Sequence, residues 1–291
     1  MAPSPTRIRV GTPDDGPYAL ARDHRGRLWT SMVQSGRLAR VDVDGPMFID
    51  LGNHDCRPTQ LATAADGSLW CTRYGDDRLE RVDPDTGART TIALPVGTEP
   101  YGVTAGLDST VWFTAIGSES VGRVDTDGTV SFVELSEPGM PSMITRGADG
   151  GVWFTLHNLG AVARLDPATA SIVVHRLADP QGGPVGITPT ANGLWCPQIR
   201  AGRVAHIGWD GAVREFDLPD RKGQPHAAAA TPDGGCWVTL WGSSGLVRLR
   251  PDGTAYAMEV LDPDDHPHGV LVDGDTVWVA ADRGDLVGVQ N

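Results

Sequence analysis

The sequence predicts an all-β protein built from seven copies of one four-stranded unit. Its 37 glycines and 22 prolines disfavour long helices, and no segment shows a convincing 3.6-residue periodicity. Seven tryptophans and seven prolines recur in phase, with 41 or 42 residues between successive tryptophans. The tryptophans are Trp29, Trp70, Trp112, Trp153, Trp195, Trp237 and Trp278, and the prolines that precede them by 11 or 12 residues are Pro17, Pro58, Pro100, Pro141, Pro184, Pro225 and Pro267.

Each copy contains four short segments rich in β-branched and aromatic residues. In the third copy these are "GVTAGL", "TVWFTAI", "ESVGRVD" and "TVSFVEL", separated by turns that contain glycine or aspartate. Four strands in about 42 residues are typical of one blade of a β-propeller. The sequence therefore predicts a seven-bladed β-propeller, with residues 1–291 forming a single domain.

The two ends of the sequence predict how the ring closes. The seventh copy supplies "HGVLV", "TVWVAA" and "DLVGV" but no fourth strand, whereas "TRIRV" at residues 6–10 precedes the first copy. We expect this segment to be the outermost strand of the seventh blade. Pairing between the N- and C-terminal strands would leave no open seam in the ring.

Composition narrows the range of partners. A net charge of −13 argues against nucleic acid, which requires clustered lysine and arginine. Neither a signal peptide nor an apolar run long enough to span a membrane is visible, so we expect a cytoplasmic protein. We also expect it to be a monomer. The four cysteines lack zinc-like spacing, and we expect them to be buried free thiols.

Functional residues should lie where the copies differ, at the end of the channel where the loops of all blades converge. Two variable positions face that end: the residue after each repeated proline and the fourth residue after each repeated tryptophan. Together they predict an aromatic lining and a polar group in the last two blades, which suits a ligand of moderate size with apolar groups. The aromatic residues are Tyr18, Tyr74, Tyr101 and Trp241, and the polar residues are His226, His266, His268 and Asp282.

Two of these histidines form a matched pair. "QPHAAA" and "HPHGVL" place His226 and His268 at equivalent positions in neighbouring blades, near Asp282. Because neighbouring blades converge at the channel, both imidazoles could contact one substrate. The alternative is that each histidine only forms a hydrogen bond at the start of its strand.

At these residues the chain resembles the streptogramin B (virginiamycin B) lyases. The resemblance lies in the blade pattern "P-x-G" followed by "W-F-T", and more specifically in the tandem "PHA" and "PHG" of the last two blades. It covers nearly the whole chain. It implies a metal-dependent lyase that opens cyclic depsipeptide antibiotics by elimination at their ester bond, and so confers antibiotic resistance.

The resemblance also implies a role for each polar residue of the group. His268 is expected to be the general base and His226 to contact the substrate. From their rim positions alone, we expect the aromatic residues to contact the substrate as well, namely Tyr18, Tyr74, Tyr101 and Trp241. The implied cofactor is Mg²⁺, held at the positions of His266 and Asp282. The family has glutamate where this chain has His266, and imidazole is a poor ligand for Mg²⁺. Either a transition metal replaces Mg²⁺, or Asp264 or Asp265 supplies an oxygen.

Two other classes of function remain open from the sequence. One is another metal-dependent propeller enzyme, such as a lactonase, although that chemistry favours several acidic ligands around the channel. The other is a non-catalytic binding propeller that keeps the aromatic rim. The marked difference between blades favours the lyase.

Overall fold

The structure is a computed structural model that describes residues 5–291. These residues form seven four-stranded antiparallel sheets, which confirms the predicted β-propeller. Three 3₁₀ turns are the helical elements in that range: η1 (Pro13–Asp15), η2 (His54–Cys56) and η3 (Trp241–Ser243). None of the helices in this range has the length and apolarity needed to cross a membrane.

The blades follow one another in chain order, and each runs from the channel outward. Blades one to three are β2 (Pro17–Arg22), β3 (Leu28–Met32), β4 (Arg37–Asp42), β5 (Gly45–Asp50); β6 (Pro58–Thr63), β7 (Leu69–Arg73), β8 (Arg78–Val82), β9 (Arg89–Ala93); and β10 (Pro100–Ala105), β11 (Val111–Ala115), β12 (Ser120–Val124), β13 (Val130–Glu134).

Blades four to six have the same organisation, and blade seven supplies three strands from the end of the chain. They are β14 (Pro141–Arg146), β15 (Val152–Leu156), β16 (Ala161–Leu165), β17 (Ile172–Arg176); β18 (Thr188–Thr190), β19 (Gly193–Gln198), β20 (Arg203–Gly208), β21 (Val213–Asp217); β22 (Pro225–Ala230), β23 (Cys236–Leu240), β24 (Gly245–Leu249), β25 (Ala255–Val260); and β26 (Val270–Asp273), β27 (Thr276–Ala281), β28 (Asp285–Gln290).

The ring closes as the sequence predicted. The first strand, β1 (Thr6–Arg9), pairs antiparallel with β28, with Thr6 opposite Gly288 and Arg9 opposite Asp285. The strand is one residue shorter than the predicted segment, because the amide of Val10 already donates to the carbonyl of Gly284, which lies in the turn between β27 and β28.

The core lies between adjacent blades, and the repeated tryptophans build it. Each packs against strands of the next blade; Trp29, for example, shares a cluster with Leu61 and Leu69 of blade two. Trp278 packs against Leu28 of blade one and so completes the ring. The four cysteines are free and buried in this core, as predicted.

The turn before each repeated proline is the same in all seven blades. The residue that precedes the proline has a positive φ, so the backbone bends sharply into the innermost strand. Glycine occupies this position in only two blades, and His266 is one of the five other residues. The seven residues are Gly16, Arg57, Glu99, Met140, Gly183, Gln224 and His266. The backbone conformation of His266 is therefore a property of the blade, not of a special site.

Candidate active site

Hydrogen bonds between blades fix the backbone of the residues that follow the prolines. The hydroxyl of the second residue after each repeated tryptophan donates to a backbone carbonyl in the next blade, that of the residue after the proline. Thr239, for example, donates to the His268 carbonyl at 3.0 Å. The other hydroxyls with this role are those of Ser31, Thr72, Thr114 and Thr155.

Blades five and seven lack this hydroxyl and use a glycine amide instead. Gly186 donates to the His226 carbonyl at 3.0 Å, and Gly269 donates to the Tyr18 carbonyl at 2.8 Å. A Cβ atom on Gly269 would lie 2.4 Å from that carbonyl oxygen, so a side chain is excluded there. The backbones of His226, His268 and Tyr18 are thus each held by a neighbouring blade.

The structure brings the two matched histidines together. The ring centroids of His226 and His268 are 5.1 Å apart, in an edge-to-face arrangement. The Tyr18 ring lies 4.9 Å from that of His268, and the Tyr18 hydroxyl is 3.5 Å from Nε2 of His226. The three side chains form one group at the mouth of the channel.

The predicted aromatic residues extend this group in two directions. The hydroxyls of Tyr18 and Tyr101 share a hydrogen bond of 2.5 Å, and Tyr101 contacts Tyr74 edge-to-face at 5.9 Å. Trp241 lies 6.2 Å from His268 on the other side. The Nε1 atom of Trp241 is buried and has no hydrogen-bond partner among residues 5–291.

His268 is bound to a carboxylate. Its Nε2 atom lies 2.9 Å from Oδ1 of Asp282. Because an ionised carboxylate can only accept hydrogen bonds, Nε2 of His268 carries the proton and Nδ1 keeps the lone pair. Nδ1 is buried and makes no hydrogen bond within the described residues. The Nδ1 lone pair is therefore unused by the described residues, and Asp282 lies where it would stabilise a positive charge on the ring.

A shorter loop places Asp282 in this position. In the other six blades the third strand begins eight residues after the tryptophan, but β28 begins at Asp285, seven residues after Trp278. In those blades the amide of the fourth residue after the tryptophan donates a hydrogen bond to the backbone carbonyl of the residue just before the proline, as Trp241 does to Gln224. The amide of Asp282 instead donates to the backbone carbonyl of Asp265 at 2.7 Å, and Asp265 lies one residue before the equivalent acceptor position.

His226 is a neutral side chain. Its burial, together with the neighbouring His268, lowers the pKa of His226 to about 3. It therefore remains uncharged near neutral pH and acts as a hydrogen-bonding group rather than as a cation or an acid. Its Nδ1 atom is also buried without a partner in the described part of the chain.

The residues expected to hold Mg²⁺ fit that ion poorly. Nδ1 of His266 lies 2.9 Å from the Trp241 carbonyl and must donate to it, which leaves only the Nε2 lone pair for a metal. Asp282 is already hydrogen-bonded to His268. No three histidine, cysteine or acidic side chains in residues 5–291 converge as a ligand group. An imidazole and one carboxylate do not make the oxygen-rich octahedral site that Mg²⁺ requires.

The alternative that Asp265 supplies an oxygen is wrong. Its carboxylate is fully buried and forms a two-pronged ion pair with Arg7, at 3.0 and 2.6 Å. Its neighbour Asp264 is exposed on the loop. No local pattern in the sequence predicts the Asp265 pairing, because Arg7 lies 258 residues earlier in the chain.

A small cavity of about 80 Å³ lies in the channel behind the histidines. It is too small for a cyclic peptide, so a ligand of that size must lie on the open face of the ring. The cavity is lined by residues of the innermost strands, including Tyr18, Gln60, Met143, Gly186, His226 and Gly269.

Thr239 is a site residue that the sequence reasoning missed, although a signal for it was present. A hydroxyl residue recurs two positions after the tryptophan in five of the seven blades, at Ser31, Thr72, Thr114, Thr155 and Thr239. This recurrence marks the bond that positions the rim residue of the next blade.

Comparison with known proteins finds relatives along nearly the whole chain. The family described as "Virginiamycin B lyase family" matches residues 3–289. A virginiamycin B lyase from Nocardia farcinica is 35% identical over 230 residues, which cover 79% of this chain and 80% of the relative.

Two solved structures share the whole architecture. A streptogramin B lyase structure has a TM-score of 0.93 and 26% identity, covering 99% of this chain and 97% of that one. A catalytically inactive histidine-to-alanine variant of virginiamycin B lyase from Staphylococcus aureus, with quinupristin, has the same TM-score and identity and covers 99% of both chains. The chain belongs to the virginiamycin B lyase family.

Proposed function

We propose that this protein is a carbon–oxygen lyase that opens type B streptogramins, which are cyclic depsipeptides, and thereby confers resistance to them. The observation that carries the proposal is the contact between His268 and Asp282 beside Tyr18 and His226. Membership of the family supports the same substrate class.

The reaction matches the side chains at the rim. His268 removes the proton from the α-carbon of the residue that is esterified through its β-oxygen. The C–H electron pair forms the double bond between the α- and β-carbons, and the bond from the β-carbon to the ester oxygen breaks. The ester oxygen leaves as a carboxylate with that bond's electrons, so neither a nucleophile nor water is consumed. General-base catalysis of this kind contributes about 10²–10⁴-fold.

The neighbouring residues hold the substrate and the base. Asp282 accepts a hydrogen bond from Nε2 of His268 and stabilises the imidazolium that forms. His226, neutral because burial and His268 lower its pKa to about 3, offers a hydrogen bond to the depsipeptide. Trp241 and the tyrosines provide apolar contact for its side chains.

The proposal is tested by incubating the protein with a type B streptogramin and measuring the mass of the product. Elimination opens the ring without changing the mass, whereas hydrolysis, as by a lactonase, adds one water. Binding without any new product would favour a non-catalytic propeller. A linear product of unchanged mass supports the lyase.

We propose that any divalent ion in this site is a transition metal bound by His266 and Asp282, and not Mg²⁺. The Trp241 carbonyl orients the His266 ring as is usual for an imidazole that binds a metal, with Nε2 free. Chelation should abolish ring opening, and Mn²⁺, Co²⁺ or Ni²⁺ should restore it at least as well as Mg²⁺. Restoration by Mg²⁺ alone would show that His266 is not a direct ligand.

A further inference from the structure

The loop that carries the two histidines of blade seven is tied to the other end of the chain. Asp265 directly precedes His266, and its buried carboxylate accepts hydrogen bonds from both terminal nitrogens of Arg7 on β1. Arg7 also lies 2.8 Å from the carboxylate of Asp262, at the start of the same loop. In the part of the chain that the structure describes, it is the one arginine or lysine ion-paired with residues 262–268.

The same residue is tied to the partner of the base. The backbone carbonyl of Asp265 accepts the amide of Asp282 at 2.7 Å, and the Asp282 carboxylate binds His268 at 2.9 Å. A continuous path of hydrogen bonds therefore runs from Arg7 through Asp265 and Asp282 to the imidazole. The first of its links, the pair between Arg7 and Asp265, exists only when β1 is paired with β28 and the ring is closed.

The rest of the loop is held by weaker contacts. The amide of His266 donates to the Ser244 hydroxyl at 3.2 Å, and that hydroxyl donates to the Pro263 carbonyl at 2.7 Å. A two-pronged arginine–carboxylate pair whose carboxylate is buried has a more strictly defined geometry than these neutral bonds. Together with the amide of Asp262, which donates to the same carboxylate at 3.0 Å, this pair holds Asp265 and so the carbonyl that Asp282 binds.

We infer that Arg7 is a positioning residue for the reaction, which sets the geometry of the His268–Asp282 pair through Asp265. The effect on turnover rests on the proposed function, whereas the effect on the imidazole does not. Ring closure and assembly of the site are then one event, since the side chain that closes the ring also places the base.

The test compares Arg7→Gln with Arg9→Gln. Arg9 lies on the same strand and also bridges the ring closure, through Asp285 at 2.9 Å and the Arg283 carbonyl at 2.7 Å, but it makes no ion pair with the loop. We expect Arg7→Gln to lower kcat for ring opening roughly ten- to a hundredfold with little change in KM, because small misplacement of a catalytic group has effects of this order. Arg9→Gln should affect only thermal stability.

A second measurement makes the test independent of activity. In protein labelled with ¹⁵N-histidine, two-bond ¹H–¹⁵N spectra report which nitrogen of each imidazole carries the proton. We expect a His268 ring protonated at Nε2 in the wild type and in Arg9→Gln, and altered His268 signals in Arg7→Gln.

Arg7→Lys, which keeps the charge but loses the second prong, should restore part of the activity, and Asp265→Asn should reproduce Arg7→Gln. These two variants decide the question if Arg7→Gln does not fold. Unchanged His268 signals in the Arg7 and Asp265 variants would overturn the inference, whatever happens to kcat. A wild-type protein that does not open the ring would refute the proposed function, but the imidazole signals would still test the role of Arg7.

Discussion

Blades two and seven each contain an arginine bound to a fully buried carboxylate, and the two networks do different things. In blade two, Arg73 binds Glu80 at 2.6 Å and also pairs with Asp76, all within eight consecutive residues of one blade. In blade seven, Arg7 binds Asp265 across the closure of the ring, and that contact continues to Asp282 and His268. A buried ion pair is therefore no sign of function in itself. The blade-seven network differs from that of blade two because it ends at the imidazole of His268.

The largest expected effect on activity is at the end of the blade-seven network. His268→Ala should lower kcat for ring opening about 10²–10⁴-fold, because the α-proton then has no base. His157→Ala is a matched control, since His157 lies at the rim of blade four and bonds the Pro184 carbonyl. Steady-state kinetics and thermal melting of both variants would check this. Wild-type turnover in His268→Ala would remove His268 as the base.

In blade two the effect should fall on stability instead. Glu80→Gln leaves the buried Arg73 only partly compensated and should lower the free energy of unfolding by about 3 kcal/mol. The value is at the low end of the usual range because Asp76 still faces the guanidinium. Urea denaturation measures the loss, and kcat per folded molecule should not change. A fall in kcat would mean that blade two also shapes the site.

Much of this comparison was predictable from the sequence, but one part was not. The phase-locked tryptophans and prolines predicted the seven blades. They also set the frame in which the missing strand of the seventh copy and the matched positions of His226 and His268 could be recognised. The pairing of Arg7 with Asp265 depends on two residues far apart in sequence. The position of Asp282 depends on a loop shortened by one residue, which changes its backbone partner.

The pH dependence of stability should report the burial of His226. Its folded pKa of about 3 lies below the unfolded value near 6.5, so the unfolded chain takes up the proton first as the pH falls. The contribution of His226 to the free energy of unfolding is fully present above pH 6.5. It falls by about 1.4 kcal/mol per pH unit towards pH 3, so about 2 kcal/mol is lost at pH 5.

His226→Gln should remove this slope, as measured by urea denaturation between pH 7 and pH 5. Burial also lowers the pKa of His157, His175 and His206, and those residues contribute equally to both proteins. The difference between wild type and variant therefore isolates His226. Equal slopes would show that His226 is not the buried neutral group described above.

The smallest expected effect compares the same rim position in blade two and in blade six, the neighbour of blade seven. Trp241→Ala should raise KM by up to about tenfold with a smaller change in kcat, because aromatic contact contributes about equally to the bound substrate and the transition state. Tyr74→Ala should do less, since its aromatic contact is with Tyr101 and not with a histidine. Initial-rate measurements over a range of substrate concentrations would check both. A larger effect at Tyr74 would place the substrate over blade two.

The closure of the ring also has a consequence for biosynthesis. Arg7 is translated 258 residues before Asp265, so it must wait for nearly all of the chain to leave the ribosome before it finds its partner. Six blades can pair their own strands as they emerge, whereas the seventh cannot be completed until both ends meet. A nascent or truncated chain that already resembles the propeller would still lack an aligned base. Ring opening would then be an assay of complete synthesis and not merely of folding.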